Sequence, residues 1–195
     1  DTQNVFPDGG SRLANRDLSD IVQTQIVNDI RNLYDSTWTR RQLMNANYSE
    51  SARPNFPSML LELLSHQNFY ELKFELDPRY RFDVSGSIYK GMLKFLSSQY
   101  RLEYVVQPLP PTNFAAELNV SGEVSLSWKA QIDSLESTAN ADKFILYTRQ
   151  GEGGFDNGKI VETNNLKLND LKPGIIYSYK VTALNNGGES FPSEI

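Results

Sequence analysis

A chain of 195 residues, 39% hydrophobic and 22% charged, is long enough for one large domain or two small ones, each with a buried core. Its formal charge of −5, with no run of Lys or Arg, excludes the electrostatic footprint of a nucleic-acid binder. No apolar stretch approaches the length of a membrane-spanning helix. Cysteine is absent and His66 is the only histidine, which excludes disulfides, thiolate metal sites and a Cys nucleophile. A Ser-His-Asp triad would have to use His66, and no Gly-x-Ser-x-Gly elbow accompanies it. A two-histidine metal site cannot be built from these residues alone. The start lacks the succession of a secretory leader, and both ends read as cut from something longer.

Residues 1–16 are polar, with Pro7-Asp8-Gly9-Gly10 as a turn signal. Leu18, Ile21, Val22, Ile26, Val27, Ile30, Leu33 and Tyr34 then recur at three- and four-residue steps and predict an amphipathic helix over 17–34. Between Trp38 and Asn55 the sequence predicts a loop, with room for a short strand in the polar run Asn45–Ser51. Arg40, Arg41 and Arg53 bring positive charge to this loop. Arg41 and Asn45 are candidates for binding an anionic or amide-bearing ligand, against the simpler reading of solvated surface groups.

The run Pro57-Ser58-Met59-Leu60-Leu61-Glu62-Leu63-Leu64 is continuously apolar up to a lone carboxylate, and Ser65-His66-Gln67-Asn68 follows at once. Apolar runs without alternation suit a strand covered on both faces. Glu62 would then sit near the carboxyl end of a buried strand, where open α/β sheets place their ligands. The plainer alternative is a Glu directed to solvent or to an Arg. Phe69–Leu76 reads as a short helix or turn. Asp77-Pro78 opens a further helix to about Ser98, with Val84, Ile88, Met92, Phe95 and Leu96 on one face. Helix, loop, strand, helix is α/β material, but one strand does not make a self-sufficient sheet, so residues 1–103 are expected to form a partial α/β domain.

Residues 104–111, Tyr104-Val105-Val106-Gln107-Pro108-Leu109-Pro110-Pro111, read as a stiff linker. Beyond it the period changes to two, in Val124/Leu126/Trp128, Phe144/Leu146/Thr148 and Tyr177/Tyr179/Val181/Ala183. Turn signals fall between these runs, at 151–154, 156–158, 172–174 and 185–188. Short alternating strands with regular turns predict a β-sandwich over 112–195.

This second half resembles a fibronectin type III domain. The resemblance lies in the Pro-rich opening, in Trp128 on the second strand, and in Leu171-Lys172-Pro173-Gly174-Ile175-Ile176-Tyr177, a tyrosine-corner signature. It implies that Trp128, Leu171, Pro173, Gly174 and Tyr177 are structural, with the Tyr177 hydroxyl tied back to the chain near the turn. No Arg-Gly-Asp occurs, and such a module usually serves as a spacer or interaction unit.

Residues 1–103 resemble the C-terminal half of zinc-dependent N-acetylmuramoyl-L-alanine amidases. The resemblance rests on the helix at 17–34, Pro57-Ser58-Met59-Leu60-Leu61-Glu62, the motif Leu64-Ser65-His66-Gln67-Asn68 and the helix at 78–98. Leu63-Leu64 stands where that family has Gly-Phe, and His66 is inserted. The resemblance implies that Glu62 is a catalytic proton acceptor; His66 joins Arg41 and Asn45 as a candidate substrate-binding residue. It implies a zinc held by two His and a Glu that this chain does not contain, so zinc belongs with an upstream segment and no metal site is expected here. A site built on Glu62 and His66 alone lacks a third ligand. The function implied is that of an exported bacterial cell-wall hydrolase, periplasmic or at the cell surface, acting on peptidoglycan or another surface glycan. These residues by themselves would be inactive. The alternative is a non-catalytic surface protein that binds glycan or protein on a degenerate amidase-like scaffold.

Overall fold

The computed structural model describes residues 4–120 and 122–195, which divide into two compact units, one up to Glu103 and one from Tyr104 onward. The first unit is helical. Helices α1 (Leu13–Leu33) and α4 (Pro78–Tyr100) pack along each other, joined by α2 (Ser49–Ala52) and α3 (Phe69–Glu75). The α4 start follows its sequence signal: the Asp77 side chain accepts the Arg79 backbone N–H at 2.8 Å, and Pro78 occupies the first helical position. At the other end Arg101 adopts a left-handed conformation, φ 55°, which ends the helix.

The α1 stripe Leu18, Val22, Ile26 and Ile30 is buried against Tyr80, Val84 and Phe95 of α4. The backbones approach closely at Gly91, where a Cβ would lie 2.8 Å from Val22 Cα. Two details depart from the expected stripes. Met92 and Leu96 of α4 are exposed, and their place is taken by Ser87, Lys90 and Gly91. Opposite them α1 buries Gln25 and Asp29. Lys90 Nζ lies 2.9 Å from Asp29 Oδ2, which also accepts the Ser87 hydroxyl at 2.8 Å, while Gln25 Nε2 donates to Asp29 Oδ1 at 2.9 Å. A buried ion pair survives only when its remaining polar capacity is filled in this way.

The α/β expectation for this unit is corrected. Among the described residues it contains one isolated bridge, Val5 to Ser11, and no strand. Pro57–Ser65 runs without turn or bend but pairs with no strand among the described residues, so it is extended chain laid on the helices. Its apolar residues are not covered on both sides: Met59, Leu61 and Leu64 pack on the helical core, whereas Leu60 and Leu63 are 44% and 40% exposed. A continuous apolar run can serve one buried face plus a rim as well as two buried faces, and here it does the former. The loop expected over 45–51 carries no strand among the described residues and instead runs into one helical turn at Ser49–Ala52.

The second unit is a sandwich of two antiparallel sheets. Strands β1 (Thr112–Leu118), β2 (Val124–Lys129) and β5 (Asn165–Leu168) form one sheet in the order β1-β2-β5. Strands β3 (Lys143–Gln150), β4 (Lys159–Val161), β6 (Tyr177–Asn185) and β7 (Gly188–Glu189) form the other in the order β4-β3-β6-β7. The expected period-two residues make the core: Val124, Leu126, Trp128, Phe144, Leu146, Tyr179, Val181 and Ala183 are all buried. Tyr104–Pro111, read as a linker, is tied into this unit. Val106 is buried and its N–H donates to Thr138 Oγ1 at 3.0 Å, while Asn185 Nδ2 donates to the Val106 carbonyl at 2.9 Å.

Replacing Asp29 by Ala leaves the Lys90 ammonium buried without its carboxylate and should destabilise the helical unit by about 3–5 kcal/mol. Asp29→Leu with Lys90→Met should restore most of that loss. Urea unfolding followed by helical ellipticity reads both. A loss below about 1 kcal/mol in the single variant would show that the pair is not structurally important.

Candidate functional site

The first unit carries an open cleft of about 650 Å³. Its floor is the α1 face Ile26, Val27 and Ile30, and its two banks are the chain segments 37–41 and 61–67, extended over 38–41 and 61–65. Each bank is fixed by side chains of the helices. Gln23 Nε2 donates to the Arg41 carbonyl at 3.0 Å, Arg31 Nε donates to the Trp38 carbonyl at 2.8 Å, and Arg40 pairs with Asp20. On the opposite bank Asn15 Oδ1 accepts the Ser58 N–H at 3.1 Å and Glu71 Oε2 accepts the Ser65 N–H at 2.7 Å. These contacts take the place that strand pairing would have in a sheet.

One end of the cleft is aromatic. Trp38 and Tyr70 both meet the Phe74 ring edge-on, at centroid distances of 5.6 and 5.5 Å. Lys73 Nζ sits 4.0 Å from the Tyr70 ring centroid. The Tyr70 hydroxyl donates to Asp35 Oδ2 at 2.6 Å. The Thr37 hydroxyl and N–H donate to the other Asp35 oxygen, at 2.6 and 2.9 Å. The Thr37 hydroxyl, then Tyr70, hold the Asp35 carboxyl below the ordinary aspartate range, and the same bond pushes the Tyr70 phenol up.

The residues proposed from sequence divide. Glu62, Arg41 and His66 all line this cleft, although they come from two separate chain segments, whereas Asn45 is exposed and does not line it. Glu62 is exposed and has no ion pair or hydrogen bond with the described residues, so it is the solvent-directed carboxylate of the plainer alternative and not a buried one. His66 lies in the Ser65–Asn68 turn with its side chain 84% exposed and Nδ1 3.0 Å from Glu75 Oε1. Sequence reasoning missed Gln23, Trp38, Asp35 and Tyr70.

The residues present do not fit a zinc ion. Among the described residues no three His, Asp or Glu side chains come together as ligands, and Glu62 and His66 supply at most two donors on an open surface. No step through a metal is therefore drawn from this chain.

In the second unit the structural assignments can be located directly. Tyr177 Oη accepts the Lys172 backbone N–H at 3.1 Å across the turn in which Gly174 has φ 80°. Leu171 packs against the sandwich core, and Trp128, 2% exposed, stands edge-on to Phe144 with centroids 5.5 Å apart.

Residues 109–195 match the family model described as "Fibronectin type III domain", and that segment is a fibronectin type III domain. Among solved structures the chain is similar to the titin kinase with its flanking domains (18% identity, 46% of this chain and 16% of that one, TM-score 0.38). It is also similar to the twitchin kinase region of C. elegans (23%, 45% and 15%, TM-score 0.40) and to chicken CNTN1 FN1–FN3 (22%, 45% and 30%, TM-score 0.37). The chain thus spans about a sixth of the first two of these. No curated protein matches the chain. The family match begins at Leu109, and nothing in the comparisons supports an amidase-like domain in residues 1–103. No helix among the described residues is long and apolar enough to cross a membrane.

A depressed carboxyl contributes stability that is complete above its unfolded midpoint and is lost as the pH falls through its lower folded value. The Tyr70–Asp35 bond should therefore persist at about pH 4, the ordinary aspartate midpoint, and disappear only below it. Tyr70 ring resonances followed by NMR report this, with Asp35→Asn as the control. Loss of the bond already above about pH 5 would contradict the assigned geometry.

Proposed function

We propose that the chain belongs to an exported protein of the cell wall or cell surface. In this reading the helical unit engages a wall polymer, peptidoglycan in the first instance, through the α1 cleft, and the fibronectin type III domain serves as spacer and interaction module. The observation that carries the reading is the convergence of Arg41, Glu62 and His66 on one open cleft with an aromatic end. Convergent polar groups around an apolar floor are the general form of a ligand site. A cation at Arg41 suits carboxylates of wall peptides, and exposed amides and carboxylates such as Gln67 and Glu62 suit hydroxyl and amide groups.

Hydrolysis is a second reading, favoured by the position of Glu62 on the cleft rim. An unpaired carboxylate there can accept a proton from an attacking water. The remaining catalytic groups would have to come from other polypeptide, because a catalytic set loses nearly all activity when one member is missing. On this account the chain as it stands binds and does not turn over.

Co-sedimentation with purified peptidoglycan sacculi, combined with assay of newly released amino groups in the presence of zinc, separates these outcomes. Saturable binding is expected, weakened about tenfold by Arg41→Ala through loss of a charge-assisted contact, with no release of amino groups. Failure to bind sacculi would sink the wall reading. Release that stops in Glu62→Gln would convert it into the hydrolytic one.

A further inference from the structure

The chain from Met59 to Leu64, which enters the bank of the cleft at Leu61, has a property that the side chains alone do not reveal. Ser58 N–H and Ser65 N–H are held by Asn15 and Glu71, but between them no backbone N–H or carbonyl from Met59 to Leu64 has a hydrogen-bond partner among the described residues. The segment is free of turns and bends over 57–65. Met59 and Leu61 face the helices while Leu60 and Glu62 face outward, the alternation of a strand, before the phase slips at Leu63. With its side chains directed toward and away from the helical layer, the main-chain polar groups of such a segment point sideways, and one side is the cleft.

Six consecutive residues of extended backbone without partners among the described residues, immobilised at both ends on a helical support, present a strand-like edge that no neighbouring strand covers. Native proteins ordinarily blunt or cover such edges. On the facing bank the Trp38 and Arg41 carbonyls are taken by Arg31 and Gln23, so among the described residues the open row of backbone groups lies on the Met59–Leu64 side. The chemistry that matches a row of alternating donors and acceptors at strand spacing is another extended main chain. A sugar ring offers hydroxyls but no such repeat.

We infer that the cleft accepts an extended peptide that adds as a strand along Met59–Leu64, held by main-chain hydrogen bonds. Arg41 on the facing bank is placed to pair with a carboxylate of that peptide, and the outward Leu60 and Leu63 offer apolar contact at its rim. The inference rests on the ligand-binding reading of this cleft and narrows it to the peptide moiety of a wall polymer, as opposed to its glycan.

The test is residue-resolved amide exchange of the full chain by NMR. It is run alone, with a synthetic eight-residue peptide alternating Val and Thr between terminal lysines, with the same peptide N-methylated at alternate positions, and with a chito-oligosaccharide. In the free chain the Met59–Leu64 amides should exchange at near-unstructured rates. Saturation with the unmodified peptide should slow alternate amides by about tenfold or more, and the methylated peptide should not. Protection of these amides in the free chain would overturn the inference by showing an internal partner. No protection by the peptide would also overturn it, whether or not sacculi bind. If sacculi bind and the oligosaccharide competes them away while the peptide has no effect, the wall reading stands and the peptide-strand inference falls.

Discussion

The helical unit depends on the close approach of α1 and α4, and that approach is fixed by a polar contact inside an apolar one. Gly91 admits Val22 without a side chain between the helices. About two turns along α1 from Val22, the buried Asp29–Lys90 pair, with Ser87 and Gln25 filling the remaining capacity of Asp29, sets how the two helices are rotated. A purely apolar seam tolerates sliding, whereas a hydrogen-bonded ion pair left unmatched by a slip costs several kcal/mol. With that register set, α1 presents Ile26, Val27 and Ile30 as a floor and Asn15 and Gln23 as anchors for the two extended banks. The cleft is therefore a consequence of the helix pair.

The second unit is organised differently. Its sandwich draws on residues far apart in sequence, and local devices fix the strand ends. The Tyr177 hydroxyl on the Lys172 N–H closes one turn. Asn185 reaches the carbonyls of Val106, Thr138 and Asn140 at 2.9, 3.0 and 3.2 Å, which gathers three segments at one point. The side chain of a single asparagine thus satisfies carbonyls that no strand ladder reaches.

The sandwich was legible in the sequence because its signals are local: period-two burial, glycine-bearing turns and a seven-residue corner motif each report their own structure. Helices α1 and α4 were legible for the same reason, through periodicity and the Asp77-Pro78 start. The rotation of α4 was not, because Ser87, Lys90 and Gly91 look like surface residues until Asp29 and Val22 are seen opposite them. Pro57–Leu64 misled for a physical reason as well. A strand is defined by its neighbours, and an apolar run specifies burial without specifying a partner. Arg41, Glu62 and His66 were identified as site residues from separate local arguments. Their meeting on one cleft, and the exclusion of Asn45 from it, depended on how Gln23 and Arg31 hold the loop against α1.

The central claim is that Met59–Leu64 is extended chain with an open edge, supported by a helix pair. Nuclear Overhauser contacts over residues 57–65 of the isotopically labelled chain test it most directly. The account predicts extended-chain chemical shifts, contacts from Met59, Leu61 and Leu64 side chains to α1 and α4, and no cross-strand Hα–Hα contacts. Cross-strand contacts between this segment and any other part of the chain would contradict it.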